Sequence, residues 1–353
     1  MRGVCVRVLL RDCDLVVDVV RGVFWEGVDV LVEDGVVVDV GSGLGISADV
    51  VLSCSGCVVV PALVNSFFVI GSPPRGVSPE DWVRSRLRSL CREGVSRVFC
   101  VSEFIEVTYL VSRDLGLECT VLVPVPVHDP VSLWSRIRGL IEFRRRGIDV
   151  GLYLSCVPVR LDVVDLLCFV REKWGFPIAI SFYNEVRDVR DSVIDVARPV
   201  IPGSLLIGCS LLTSGEYSVV ARLGGVVVKV PELCGRVCGS VGSYVSLIRG
   251  CRVCLGSGSV GSLSSCIYGV YVANVCEFGV SDPRYVLRCA VGEGLGFGVL
   301  DVDCRCDLAV FELVHPRHVV TDTWGTVLTS IASKSTRYVV TSRRVIYSRG
   351  SRF

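Results

Sequence analysis

The chain has 353 residues, and 37 Lys and Arg against 36 Asp and Glu leave a net charge of +1. That balance excludes a protein that coats nucleic acid through bulk positive charge, and it excludes an acidic disordered tail. Hydrophobic residues make up 51% of the sequence and charged ones 21%, enough apolar surface for the core of one large domain with a smaller satellite.

Residues 4–57 read as short alternating strands with a turn at Glu33-Asp34-Gly35 and no long helical stripe. A continuous apolar strand follows at 58–64. From about Val77 onward, short Val-rich runs alternate with longer amphipathic segments. Ser78 is placed to cap a helix with Pro79 at its first position and Glu80 and Asp81 in its first turn; Trp82, Val83, Leu87, Leu90 and Cys91 form its apolar stripe, and Gly94 ends it. A strand at 95–101, a helix at 104–115 stopped by Gly116, and a strand at 120–125 come next. Asp129 and Pro130 then open a helix whose Leu133, Ile137, Leu140 and Ile141 face inward before Gly147. Further strands at 151–155, 178–182, 205–209, 226–230 and 252–255 each precede a helical pattern.

Uninterrupted apolar strands are buried on both faces, as in a parallel sheet covered by helices. The count comes to about eight strand-helix units, the number that closes a (β/α)8 barrel of TIM type. An open doubly wound sheet is the alternative, but no Gly-rich dinucleotide fingerprint follows the first strand. Residues 303–348 return to short strands with a turn at Ser342-Arg343. The fold class predicted is therefore α/β: a barrel over residues 58–302, beside a small β-sandwich assembled from 1–57 and 303–353.

Nineteen cysteines are spread over this long apolar chain, an odd number that leaves at least one thiol unpaired; most read as small buried hydrophobes. Arg2, Arg7 and Arg11 interrupt the first apolar stretch, which is incompatible with a signal-peptide core, so a cytoplasmic location is expected. There is no Gln, Met1 is the only methionine, and Lys173, Lys229 and Lys334 are the only lysines. Scarcity of thermolabile side chains fits a heat-adapted source, although the lysine shortage departs from that signature. Two long uncharged stretches, 50–74 and 253–276, are broken by Ser, Gly, Pro61 and Asn65. Neither reads as a lipid-facing helix, so no membrane and no nucleic-acid partner is expected.

Several of these segments resemble the amidohydrolase superfamily, in particular its cytosine-deaminase and S-adenosylhomocysteine-deaminase-like branch. Asp29-Val30-Leu31-Val32-Glu33-Asp34-Gly35 is similar to the family's opening hairpin, Val58-Val59-Val60-Pro61-Ala62-Leu63-Val64-Asn65 to the strand leading into its metal motif, and Cys306-Asp307-Leu308-Ala309-Val310-Phe311 to a closing sandwich strand. The resemblance spans nearly the whole chain in order. It implies a barrel plus sandwich, with one or two divalent metals that activate water for hydrolysis of C–N bonds.

The metal motif of that family does not carry over. Where it has His-x-His after the Asn and a small residue, this sequence has Phe67-Phe68-Val69, so Phe67 and Val69 stand at the two ligand positions. Ile180-Ser181-Phe182-Tyr183-Asn184 aligns with the His-x-x-Glu strand, placing Ser181 at a ligand and Asn184 at the proton-transferring carboxylate. Gly208 and Gly258 align with the remaining histidine and with the last carboxylate. A catalytic zinc needs about three ligands with lone pairs, and Phe67, Val69, Gly208 and Gly258 offer none from their side chains. The sequence therefore predicts no metal and no cofactor. His315 and His318 fall in a sandwich loop, and His128 lies beyond the third strand near the predicted active face.

Other groups carry weaker signals. Cys54-x-x-Cys57 and Cys251-x-x-Cys254 have knuckle-like spacing, but nearly the whole barrel separates the two pairs; core packing or an occasional disulfide is the plainer reading. Cys304 and Cys306 point to one side of a strand. Gly256-Ser257-Gly258-Ser259-Val260-Gly261 offers backbone donors for a phosphate but lacks a Walker ending, so a tight strand-to-helix connection is the alternative. Lys229 interrupts an apolar strand at its C-terminal end, where barrel active sites are built; it is either a nucleophile of lowered pKa or an ammonium paired with Glu232 or reaching solvent.

The candidate catalytic residues are thus Lys229, Asn184 and Glu103, and the candidate ligand-binding residues are Asn65, Ser181, Asn184, Lys229, Glu232 and His128. The main expectation is an amidohydrolase-like barrel without hydrolytic activity, serving as a small-molecule-binding or assembly subunit. Its partners would be a small polar ligand and either further copies of itself or a larger complex. The alternative is a divergent hydrolase of non-peptide C–N bonds working through a rebuilt, metal-independent site.

Overall fold

A computed structural model describes residues 6–157, 160–182, 193–210, 212–232, 250–259, 261–279, 281–314, 322–342 and 344–349. Eight parallel strands form the central sheet: β6 (Leu63–Val69), β7 (Val95–Val101), β8 (Glu118–Pro124), β9 (Val150–Leu154), β10 (Ile178–Ser181), β11 (Leu205–Ile207), β12 (Val226–Lys229) and β13 (Arg252–Leu255). Each pairs with its neighbour in sequence. The ring is completed where Gly258 N–H donates to the Phe67 carbonyl and Val69 N–H to the Gly258 carbonyl, both at 3.0 Å. This is the barrel that the strand count predicts.

Between the strands run α1 (Pro79–Cys91), α2 (Ile105–Leu115), α3 (Pro130–Arg145), α4 (Leu161–Trp174), α5 (Val193–Ala197), α6 (Ser214–Leu223), α7 (Leu263–Phe278) and α8 (Pro283–Ala290). Their starts follow from local chemistry. Ser78 accepts the Asp81 N–H at 3.1 Å, Asp129 accepts those of Val131 and Ser132, and Thr213 with Glu216 forms a reciprocal capping box. Leu133, Ile137, Leu140 and Ile141 are buried on α3, as the helical stripe requires.

The termini build a second sheet from β1 (Arg7–Asp18), β2 (Val23–Glu33), β3 (Val36–Gly41), β4 (Val50–Ser53), β5 (Cys57–Pro61), β14 (Leu308–Glu312), β15 (Thr336–Val340) and β16 (Val345–Ser348). Alternate residues of β5 face opposite ways. Val58 and Val60 join the apolar cluster that docks the sheet on α1, α7 and α8, while Cys57 and Val59 join the sandwich's own core.

Two expectations need correction. The strand at 58–64 is not the first barrel strand; its first half, β5, pairs antiparallel with β14, and the barrel begins one strand later at β6. Pro61 ends β5, and at Ala62 the chain changes sheets: Ala62 N–H donates to the Asp307 carbonyl, and Leu63 N–H to that of Gly94. Residues 57–68 are buried throughout, so no change of period marks the switch. The C-terminal segment also contains a helix, α9 (Thr323–Ala332). Asp322 caps it by accepting the Gly325 N–H at 2.7 Å, and Val327, Leu328 and Ile331 pack into the cluster under α1. The two apolar stretches that raise a membrane question are strands β4 to β6, and β13 with α7; among the described residues no helix is long and apolar enough to cross a membrane.

At the junction of barrel and sheet, Asp307 lines a cavity of about 350 Å³ with Ser96, Arg97, Glu118 and Arg305. Its carboxylate accepts the Ser342 N–H at 3.1 Å. Burial pushes its pKa up, against the opposing pull of the Ser96 hydrogen bond and the Arg97 charge. A carboxyl raised in the folded state favours folding while protonated, a contribution complete below the unfolded value of about 4 and lost as pH rises through the folded value. Urea unfolding at pH 4 and pH 7 should therefore show the wild type losing more stability over that interval than Asp307→Asn. Equal losses would mean that the carboxyl is not strained by its burial.

Candidate functional site

The C-terminal ends of barrel strands are where this architecture places its chemistry. Here the interior beneath those ends is apolar. Phe67 is 2% exposed and packs with Val101, Leu122, Ala179, Leu205, Ile207, Val226, Val228, Val230 and Cys254. Its ring meets that of Tyr153 with centroids 5.7 Å apart. Ser181 is buried at the end of β10 beside the Tyr153 phenol, whose pKa is pushed up by burial, an effect partly offset by the neighbouring Ser181 hydroxyl. Val69 is half-buried against the same cluster.

The polar groups expected at this end are distributed over three places. Lys229 closes β12 and is fully buried. Its Nζ donates to the Tyr217 hydroxyl at 3.3 Å and lies 5.7 Å from the centre of that ring; the hydroxyl in turn donates to the carbonyl of Cys209. Cys209 holds a left-handed φ of 58°, which costs a non-glycine residue about 1 kcal/mol, and it turns that carbonyl toward the tyrosine after β11. Lys229 thus does not reach solvent, one of the two places the sequence allowed for a plain ammonium; Val226, Val228 and Val230 face the barrel interior, and alternation turns Lys229 outward toward α6.

Asn65 lies elsewhere, in the seam between β6 and β13. Its amide nitrogen donates to the Ser257 hydroxyl at 2.7 Å, and its carbonyl accepts the Ser257 N–H at 3.2 Å. The Gly-rich turn belongs to the same seam. A Cβ on Gly256 would stand 2.8 Å from the Phe67 carbonyl oxygen, so the glycine permits the close approach of the two strands. At the other end of the turn, one Glu232 carboxylate oxygen lies 2.9 Å from where a Gly261 Cβ would be. A carboxylate lodged against the turn repels an anion, which favours the connecting role over a phosphate cradle.

Glu103 occupies the third place. It is exposed just beyond β7 and lines a cleft of about 220 Å³ with Val69, Ser72, Val101, Ser102 and Pro124, at the ends of β6, β7 and β8. His128 is exposed beyond β8, and its carbonyl accepts from Arg160 at 3.5 Å. Asn184, His315 and His318 lie outside the described residues. Tyr217 and Tyr153 are the groups sequence reasoning missed. Tyr153 was findable, because Val150, Leu152 and Leu154 pack outward on β9 and alternation sends Tyr153 inward. Tyr217 sits on a helix beside a strand end, and no local pattern joins it to Lys229.

The family resemblance implies a divalent metal, and the donors can be tested for it. Among the described residues no three His, Cys, Asp or Glu side chains come together in a group able to hold a metal ion. Phe67 and Val69 are hydrocarbon, Gly208 and Gly258 have no side chain, and Ser181 offers a single neutral hydroxyl. The described donor set therefore does not fit a catalytic zinc. The Cys-x-x-Cys pairs do not supply one either: Cys54 and Cys57 lie in the sandwich core, while Cys254 lies in the barrel interior, its thiol pushed by burial up to about 12.

No family model matches the sequence, and no curated protein matches it. Solved structures do. A triazine hydrolase from Arthrobacter aurescens superposes with a TM-score of 0.82 at 15% identity, covering 97% of this chain and 95% of the other. An adenosine deaminase from Xanthomonas campestris, with bound zinc, gives 0.79 at 16% identity over 96% and 92%. The guanine deaminase of E. coli gives 0.79 at 11% identity over 99% and 100%. Over 96–99% of its length, then, the chain shares the fold of this triazine hydrolase and these two deaminases.

Proposed function

We propose that this protein binds a small polar ligand at the C-terminal end of its barrel and acts as a non-catalytic binding or assembly subunit with an amidohydrolase fold. The observation that carries this reading is Phe67, 2% exposed and packed among the inward side chains where the resemblance puts a metal ligand. An apolar ring there cannot hold a cation or lower the pKa of a water. Polar groups remain at the rim, where Glu103, Ser102 and Ser72 line one cleft; the Lys229–Tyr217 pair lies on the outward side of β12, because Val226 and Val228 take the inward positions. Fold likeness alone does not transmit an activity, because chemistry resides in the site and not in the scaffold.

The comparisons favour a second reading, hydrolysis of a non-peptide C–N bond, since the similar structures are a triazine hydrolase and two deaminases; the described donor set assigns it to a metal-independent site. In that reading Lys229 supplies the positive charge or the nucleophile, and Tyr217 fixes its ammonium. Glu103, the exposed carboxylate in the cleft at the ends of β6 to β8, is the group assigned to move a proton, and the substrate would have to reach Lys229 on the outward side of β12.

Two experiments separate the readings. After dialysis, the purified protein should carry only substoichiometric zinc, iron and manganese, and neither zinc nor manganese added back should produce turnover of amides, cyclic amides or aminopurines. Stoichiometric metal with chelator-sensitive turnover would overturn the binding proposal, and turnover that persists in chelator but is lost in Lys229→Ala would establish the second reading. Phe67→Ala tests the packing directly: it should cost about 3–5 kcal/mol in chemical denaturation, whereas a loss below about 1 kcal/mol would mean that the ring does not fill the barrel.

A further inference from the structure

The sandwich core contains three cysteines whose arrangement the function above does not use. Cys13 follows a bulge in β1: the register with β2 slips between Leu10 and Cys13, and Asp12 takes a left-handed φ of 58°. The bulge is held from beneath by the buried Asp29, whose carboxylate accepts the Asp12 N–H at 2.8 Å and the Leu44 N–H at 2.9 Å. Its effect is to turn Cys13 inward. Cys54 arrives from the parallel strand β4, with its N–H donating to the Arg11 carbonyl at 2.8 Å. Leu10 and Leu52 are register partners, and the Cys13 and Cys54 thiols lie against their carbonyls at 3.7 and 3.6 Å. The two thiols are therefore buried side by side in the sandwich core, beside one rung of the ladder. Cys57, two residues beyond Ser55, instead lies under Arg337, whose guanidinium donates to its sulfur at 3.4 Å.

We propose that Cys13 and Cys54 form a disulfide that staples the N-terminal strand to the turn before β5, and that the Cys54-x-x-Cys57 spacing is not the linkage. The oxidant is a small-molecule disulfide of the glutathione type. One cysteine thiolate attacks it, forming a mixed disulfide and releasing one thiolate; the second cysteine attacks the protein sulfur of that bond and expels the other. Two electrons pass to the oxidant, and the two protons leave with its two thiols. In the folded protein both cysteines are fully buried, and the neighbouring Cys54 together with burial pushes the Cys13 thiol far up, so no small-molecule disulfide reaches them there. Exchange therefore takes place before the sandwich core closes, and the finished bond is shielded from reductants while the protein stays folded.

The full chain is refolded in a mixture of oxidised and reduced glutathione, unfolded in an alkylating reagent and digested with trypsin. Trypsin separates Cys13, in residues 12–21, from the long stretch that carries both Cys54 and Cys57. The expected product joins these two peptides, with Cys57 alkylated. The cross-link should survive in Cys57→Ala, disappear in Cys13→Ala, and resist dithiothreitol until denaturant is added. Closing a loop of about 40 residues should also place the melting temperature of oxidised Cys57→Ala about 5 °C or more above that of oxidised Cys13→Ala/Cys57→Ala. A Cys54–Cys57 linkage in the wild type, or alkylation of both Cys13 and Cys54 after oxidative refolding, would overturn the proposal. Should either variant fail to fold, the wild-type peptide map alone decides.

Discussion

The structure depends on one close contact, where the backbone of β6 meets the turn after β13. Gly256 and Gly258 bring the two strands together at Phe67, and the amide of Asn65 locks them through Ser257. That seam converts an open parallel sheet into a barrel, and it aims the Phe67 ring at the barrel axis. Once the ring is there, the neighbouring inward positions must be apolar as well, because an unpaired polar group beside it would cost about 1–3 kcal/mol. Closure and the hydrophobic mouth are two results of the same packing.

Against this background the Lys229–Tyr217–Cys209 chain stands out. A fully buried ammonium is costly unless its protons are satisfied, and here the tyrosine hydroxyl and a carbonyl in a strained left-handed residue are brought to that end. The fold devotes backbone strain to fixing this group, as it does at Asp12 for the sandwich thiols. Both places pair a polar or reactive side chain with an otherwise hydrocarbon core. The likeness to an adenosine deaminase with bound zinc is one of scaffold, and the inward side chains at the described strand ends of this chain are mostly apolar.

Much of the architecture was legible in the sequence because it rests on short-range rules. Seven barrel strands fall within about three residues of their Val-rich runs, and Ser78 and Asp129 mark helix starts that their own hydroxyl and carboxylate enforce. The first barrel strand was misplaced because 57–68 is buried on every side, which erases the alternation that locates a sheet switch. Helix α9 was missed because its Thr-rich, β-branched sequence favours a strand locally, and only packing of Val327, Leu328 and Ile331 under the barrel selects the helix.

By itself, then, the sequence determined the strand-helix alternation, the caps and the apolar character of Phe67 and Val69, since each is a property of one residue or one period. Tertiary structure alone decided that Asn65 closes a seam, that Lys229 is sealed against Tyr217, that Glu232 lies against the glycine turn, and that the Cys13 and Cys54 strands pair. These contacts join positions between 12 and 192 residues apart, and no local rule of propensity or spacing carries information over such separations.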